Sequence, residues 1–340
     1  MAILMRHHTS PLTMALLLVL TLGPLHAKAS DLSEPDGAEF FYYDYSRRDH
    51  EVVDYQNYAL PGVSVWKFRG PRPDLEKGHY FSAIGAAQTL GVLIEKPYPT
   101  LLAEELGLEA LNLGLGGGSP SAFANEEALI DAINGGKFLI LQVMRASAET
   151  NSRFTPTRQL GLVKDNRTAR KIPLTQAWAE ALMEEPERVP LLVAEAQNAW
   201  VEAYLDLLSK VEVPVILFWF SPREIDVAEP EWSRLLERTS PFVHEYPSMV
   251  DRATLERVRR LCDSPAICAD YVEVRSDRGR EFEFVSRFTG DPIEIDYSRM
   301  GSGDLKIKKT RNTSTSYWSQ EMHQDAVGPL LEAIRSLNRE

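Results

Sequence analysis

The sequence predicts an α/β domain in which a mainly parallel central sheet is covered on both faces by helices, preceded by an N-terminal arm and carrying an inserted β-hairpin. Strand-length apolar runs alternate with stretches of helical spacing, the order expected when a parallel sheet is covered on both faces. The runs are Tyr80–Ile84, Ala110–Leu113, Phe138–Met144, Val213–Phe220 and Tyr271–Val274. Proline and glycine punctuate the intervening segments at helix boundaries. Finally, Glu281–Phe288 and Ile293–Tyr297 alternate about Thr289-Gly290-Asp291-Pro292, the pattern of a hairpin.

Residues 30–78 are rich in Tyr, Asp, Arg and Pro without a sustained period, and read as an extended arm with one short strand near Val63–Phe68. Residues 79–340 then form the α/β domain. Pro97 and Pro99 introduce a helix over Thr100–Leu106, and Gly135-Gly136 closes a helix over Ser121–Asn134. Further helices fall at Gln176–Glu184, Leu191–Lys210 and Met249–Cys262, with Ser248 as a cap for the last. The periodicity of Ala326, Leu330, Leu331, Ile334 and Leu337 gives a terminal helix. Two stretches near 145–175 and 276–317 break the alternation and read as insertions.

The first 29 residues have the form of a secretory leader: Arg6, His7 and His8, an apolar run from Met14 to Leu22, and Ala27-Lys28-Ala29 as a small-x-small cleavage site. Thr21, Gly23 and Pro24 interrupt the apolar stretch, which is short for a bilayer span. Cleavage after Ala29 and a secreted or periplasmic location are therefore expected. The 340-residue chain has 37 Lys+Arg against 49 Asp+Glu, a net charge of −12, and loss of Arg6 and Lys28 with the leader takes it to −14. An acidic chain without a basic stripe argues against nucleic acid and against anionic membrane surfaces after cleavage. Cys262 and Cys268, separated by a turn-rich spacer, pair in an oxidising compartment or remain as two thiols. No P-loop, zinc-ligand spacing or dinucleotide fingerprint is present, so no cofactor or metal is expected.

In an open parallel sheet, sites form outside the carboxyl ends of the strands. The first such loop, Gly85-Ala86-Ala87-Gln88-Thr89-Leu90-Gly91, resembles the Gly-Asp-Ser-x-Thr-x-Gly block of the SGNH (GDSL-type) hydrolases, with Ala87 where the nucleophilic serine stands. Asn112-Leu113-Gly114-Leu115-Gly116-Gly117 resembles the second block, Asn-x-Gly-x-x-Gly. The third, Gly-x-Asn-Asp, is missing, and Asn151 in the loop Arg145–Arg153 is the substitute. Gln320-Glu321-Met322-His323 stands in the place of the final Asp-x-x-His, and Tyr98-Pro99-Thr100-Leu101-Leu102 is similar to a segment of a bacterial SGNH-like subgroup.

The resemblance implies a flavodoxin-like three-layer fold. It makes His323 the base, with Glu321 or Asp325 as a partner, and makes the Gly117 amide and Asn151 the oxyanion donors. Ala86, Ala87, Gly114 and Gly116 would line the ligand cleft. Plainer roles stand beside these: Ser119 or Ser121 as a helix cap, Asn151 as a turn residue, His323 as a capping or surface histidine. Arg145, Arg153 or Arg223 supplies positive charge if it points inward.

Ala87 has no hydroxyl, so the first functional expectation is an exported protein that binds a small polar, glycan-like or acylated ligand without serine turnover. A second is a serine-independent hydrolase or acyltransferase in which His323 activates water or an acceptor hydroxyl. A third is a structural or interaction protein using the tyrosine-rich arm, residues 40–58, and the hairpin.

Overall fold

Runs of residues with no room for water on either side condense into a sheet at the centre of the molecule. In the computed structural model the described residues are 45–63, 66–226, 241–263, 268–296 and 310–337, all within the unit Ala38–Glu340. The expected leader and the first part of the expected arm lie outside them. Five strands, β1 (Tyr80–Gly85), β2 (Glu109–Gly114), β3 (Leu139–Gln142), β4 (Val215–Phe220) and β5 (Asp270–Val274), pair in parallel in the order β2-β1-β3-β4-β5. This is the flavodoxin-like order, whose direction of winding reverses between β1 and β3. Burial follows position in the sheet. Every residue of β1, β3 and β4 is buried, whereas β2 begins exposed and β5 exposes Glu273.

Helices cover both faces. On one, α2 (Tyr98–Leu106) packs beside the terminal helix, α8 (Gln320–Leu337); on the other, α6 (Val189–Lys210) lies against α3 (Pro120–Ala124) and α7 (Arg252–Arg259). Side chains alternate across a strand, so Phe218 and Phe220 point together toward α2 and α8, where both meet the Tyr98 ring edge-on. On the opposite face α6 is tied to the end of β3: Tyr204 donates to the Gln142 carbonyl at 2.7 Å and Trp200 to the Met144 carbonyl at 2.8 Å.

Several elements differ from expectation. The loop after β1 contains a single helical turn, α1 (Ala87–Leu90), closed by Gly91 in the left-handed region at φ 73°. The helix expected over Ser121–Asn134 is two, α3 and α4 (Glu127–Asn134), because Asn125 ends the first and Glu126 is extended. The helix expected from Met249 begins at Arg252: Met249 has φ 60°, and Asp251, not Ser248, caps the helix by accepting from the Thr254 amide at 2.6 Å. The arm is not wholly extended, since Tyr45–Arg48 forms a helical turn.

The polar stretch after β3 folds as a three-stranded antiparallel meander, Phe154–Pro156, Leu162–Asp165 and Lys171–Pro173, followed by α5 (Leu174–Glu184). The hairpin about Thr289–Pro292 is shorter than expected. Ser286 donates to the Asp291 carbonyl and Ile293 to that of Phe284, but the flanks pair with a third segment: Phe282–Glu283 with Thr313–Ser314, and Ile295–Asp296 with Thr310–Arg311. Cys262 and Cys268 are joined by a disulfide just before β5.

The motif glycines are explained by close packing. A Cβ on Gly85 would overlap the Thr89 hydroxyl and the Gln142 amide, and one on Gly114 would overlap the Leu90 backbone nitrogen. Gly114→Ala must therefore push α1 off β2, and overpacking of this kind costs about 1–3 kcal/mol. Urea unfolding should show a lower midpoint with an unchanged slope; a wild-type midpoint would contradict the packing account.

Candidate functional site

Ala87 is the first residue of α1, directly beyond the carboxyl end of β1, where the backbone presents a side chain at the switch point of the sheet. It is covered. Ala87 belongs to a small apolar cluster with Leu90, Val92, Leu93, Phe284 and Ile295, against which Tyr45 and Val52 of the arm and Phe282, Ile293 and Tyr317 also pack. Tyr45 lies over Gly116 so closely that a Cβ there would overlap its ring. The hairpin and arm thus close over the position that the resemblance assigns to a nucleophile.

Beneath this cover, polar groups hold α1 in place. The Gln142 side-chain oxygen, at the end of β3, accepts from the Ala86 amide at 3.0 Å and the Thr89 hydroxyl at 2.8 Å. Thr89 and Tyr98 share a hydroxyl contact at 3.0 Å. Asn112 donates to the Thr89 carbonyl and accepts from the Gly114 amide, both at 2.9 Å, so Asn112 and Gly114 act as scaffold within the second block. Buried Arg69 holds the far end of α1 by donating to the carbonyls of Leu90, Gly91 and Glu95.

The structure gives His323 a different role from the base expected of it. Its ring is buried, parallel to Tyr98 and edge-on to Phe220, and its Nδ1 accepts from the Tyr98 amide at 3.1 Å, capping the start of α2. The acceptor nitrogen is consumed, so the proton sits on Nε2 and the ring is a donor. Burial, reinforced by the positive charge of Arg69, lowers its pKa to about 3. Neither carboxylate partners it: Asp325 accepts from Ser276 at 2.6 Å and pairs with Arg278, while Glu321 lies beside Gly279. Gln320 takes up the backbone of Lys96, donating to its carbonyl at 2.7 Å and accepting from its amide at 3.2 Å.

Asn151 is a turn residue in the first instance, its Oδ1 accepting from the amides of Arg153 and Phe154 while Nδ2 has no partner. Arg153 and Arg223 are structural. The first is buried among Glu184, Glu185 and Asp165; the second donates to the carbonyls of Pro247 and Val250, with its pKa lowered by burial to about 10. Arg145 makes no ion pair among the described residues and lies 5.6 Å over the Tyr246 ring.

Gly117, at φ 83°, faces the meander rather than Ala87 and lines a cavity of about 320 Å³. Its walls include Trp66, Ser119, Ser121, Thr155, Thr157 and Leu160. At its edge lies the buried carboxyl of Glu149, which accepts from the Ser121 amide at 3.2 Å at the start of α3, so this carboxyl takes the capping role expected of Ser119 or Ser121. Burial raises the Glu149 pKa, opposed by hydrogen bonds from Ser121 and Ser119. The site residues therefore do not share one place: Ala87 lies beneath the cover, Ala86 in the main core and Gly117 at the cavity.

Residues 43–158 match the model of a domain of unknown function, DUF6473. No curated protein sequence matches the chain. Among solved structures, the chain is similar to a family two carbohydrate esterase from Clostridium thermocellum in complex with cellohexaose, at 8% identity and a TM-score of 0.38, over 80% of this chain and 67% of that one. It is also similar to a carbohydrate esterase family 2 enzyme from Corynascus (Myceliophthora fergusii), at 11% identity and TM-score 0.36 over 78% and 67%. A catalytic mutant of an acetylxylan esterase from Geobacillus stearothermophilus matches at 12% identity and TM-score 0.34 over 76% and 94%. These likenesses concern the fold. The strand order and the lie of the helices carry the architecture independently.

Sequence reasoning missed Gln142 and Glu149. Gln142 carried one available signal, a polar residue inside an otherwise apolar strand run.

The buried neutral His323 has a consequence for stability. Because its folded pKa lies below the unfolded value near 6.5, the unfolded chain takes up a proton that the native chain refuses between about pH 6.5 and 3. Stability should fall through that window as pH drops, and the slope should be shallower in His323→Phe. NMR of the native His323 ring should show no titration between pH 5 and 8; a midpoint near 6.5 would contradict the burial described.

Proposed function

We propose that this chain is an exported, hydrolase-like protein that has lost serine chemistry and binds a small polar, glycan-like ligand in the cavity beside Gly117. The observation that carries the reading is the division of the site: the nucleophile position holds Ala87 under an apolar cover, while a cavity bordered by hydroxyl groups stands next to the glycine loop. Serine and threonine hydroxyls offer neutral donors and acceptors, and Trp66 offers an aromatic surface, the combination that suits a sugar's hydroxyls and its apolar ring face. Export rests on the leader-like N-terminus, and the paired cysteines suit an oxidising compartment. Among the described residues no helix is long and apolar enough to cross a membrane.

Cello-oligosaccharides and acetylated xylo-oligosaccharides are suitable probes for calorimetric titration. Saturable binding is expected. Ser121→Ala should weaken it by about 2–10-fold, the worth of one hydrogen bond. Simple aryl esters should show no burst and negligible turnover, and Ala87→Ser should not raise it, because the acceptor nitrogen of His323 is held by Tyr98. Failure of every neutral glycan probe to bind would overturn the ligand reading. Ester turnover by the wild type, abolished in a folded His323→Ala variant, would replace it with the serine-independent enzyme.

A further inference from the structure

A hydroxyl group can donate and accept, so what a cavity lined by hydroxyls recognises depends on where their protons already go. In the cavity beside Gly117, four wall hydroxyls have theirs committed to the protein. Thr157 donates to the Gln159 carbonyl at 2.9 Å and reaches that of Leu162 at 3.2 Å. Thr155 donates to the Asn166 side-chain oxygen at 3.0 Å, while the Asn166 nitrogen is turned toward the Ser152 carbonyl. Ser119 and Ser121 flank Glu149, which is 2% exposed and accepts from the Ser121 amide at 3.2 Å and from both serine hydroxyls. An ionised carboxylate offers acceptors alone, so each serine gives its proton to Glu149.

What these four groups offer a ligand is therefore lone pairs. Three donors converge on Glu149, so its charge is answered within the protein and the serine oxygens act as neutral acceptors. Those two oxygens lie 3.3 Å apart, close enough for neighbouring hydroxyls of one ligand to reach both. Side-chain donors on the same wall are fewer: Trp66 Nε1, buried without a partner, and the exposed Asn125 and Arg158.

We infer that the cavity selects a sugar with free neighbouring hydroxyls over its O-acylated form, and that Glu149 is the positioning residue that sets this preference. The selectivity rests on the glycan reading of the same cavity. A free sugar hydroxyl donates to a wall oxygen and can still accept in turn. An ester oxygen has no proton, so acylation sets one acceptor against another and leaves the wall oxygens unpaired, a larger penalty than a weakened hydrogen bond.

Calorimetric titration of the wild-type protein with xylotriose and cellotriose, and with their O-acetylated forms, tests this. The better free sugar should bind at least about tenfold more tightly than its acetylated form, the worth of one or two hydrogen bonds. In Glu149→Gln the amide nitrogen becomes a donor toward one serine, whose own proton is then free to meet the ligand. That variant should weaken the free sugar by about 2–10-fold and leave the acetylated form no weaker, a change in ratio that exclusion of the acetyl group by size would not produce. If it fails to fold, Ser119→Ala removes one acceptor and should lower the same ratio. Equal or tighter binding of the acetylated sugars to the wild type would overturn the selectivity and leave the glycan reading standing. So would an unchanged ratio in folded Glu149→Gln. Binding of none of the four sugars would overturn both.

Discussion

The side-chain amide of Gln142 holds together the switch point of the sheet. It sits at the end of β3, where the direction of winding reverses, and its oxygen accepts from both the Ala86 amide and the Thr89 hydroxyl. That fixes the turn leaving β1. Thr89 passes the constraint to Tyr98 and α2, Asn112 joins the Thr89 carbonyl to β2, and the absence of Cβ atoms at Gly85 and Gly114 lets these pieces close up. The residues that resemble the first two SGNH blocks are thus in place here as packing. They need no catalytic role to account for them.

Charge has been recruited in the same direction. Arg69, Arg153 and Arg223 are buried, and each donates to carbonyls or carboxylates that position a loop. Such groups are costly to bury and costly to unpair, so they act as locks on the loops around the sheet rather than as free ligand clamps. Gln320, in the place of an orienting carboxylate, locks α8 to the backbone of Lys96. Arg145 stands apart because it pairs with no carboxylate among the described residues and lies over the Tyr246 ring.

The fold was largely legible in the sequence because strands buried on both faces must be apolar throughout, and Tyr80–Ile84, Phe138–Met144 and Val213–Phe220 have no other reading of comparable strength. Helix ends were less legible: the break at Asn125-Glu126 and the start at Asp251 depend on local backbone angles and caps that apolar periodicity does not encode. The site was legible only in part. Ala87 and His323 could be placed in the chain, but the hydrogen bond from the Tyr98 amide to His323, some 225 positions away in sequence, is a product of packing α8 against α2. The cover over Ala87 was hidden for the same reason. Its apolar residues, Val52, Phe284 and Ile295, come from segments far apart in the chain that meet only when the hairpin folds back.

Two features therefore define the candidate site: a position that would carry a nucleophile, filled and locked, and a cavity displaced toward the meander. Hydrogen–deuterium exchange with and without a bound oligosaccharide tests that separation most directly. The account predicts added protection in residues 117–122 and 155–163, with residues 86–93 and 282–295 unchanged. Protection at 86–93 together with faster exchange at 282–295 would mean that ligand enters beneath the cover at Ala87, and would contradict it.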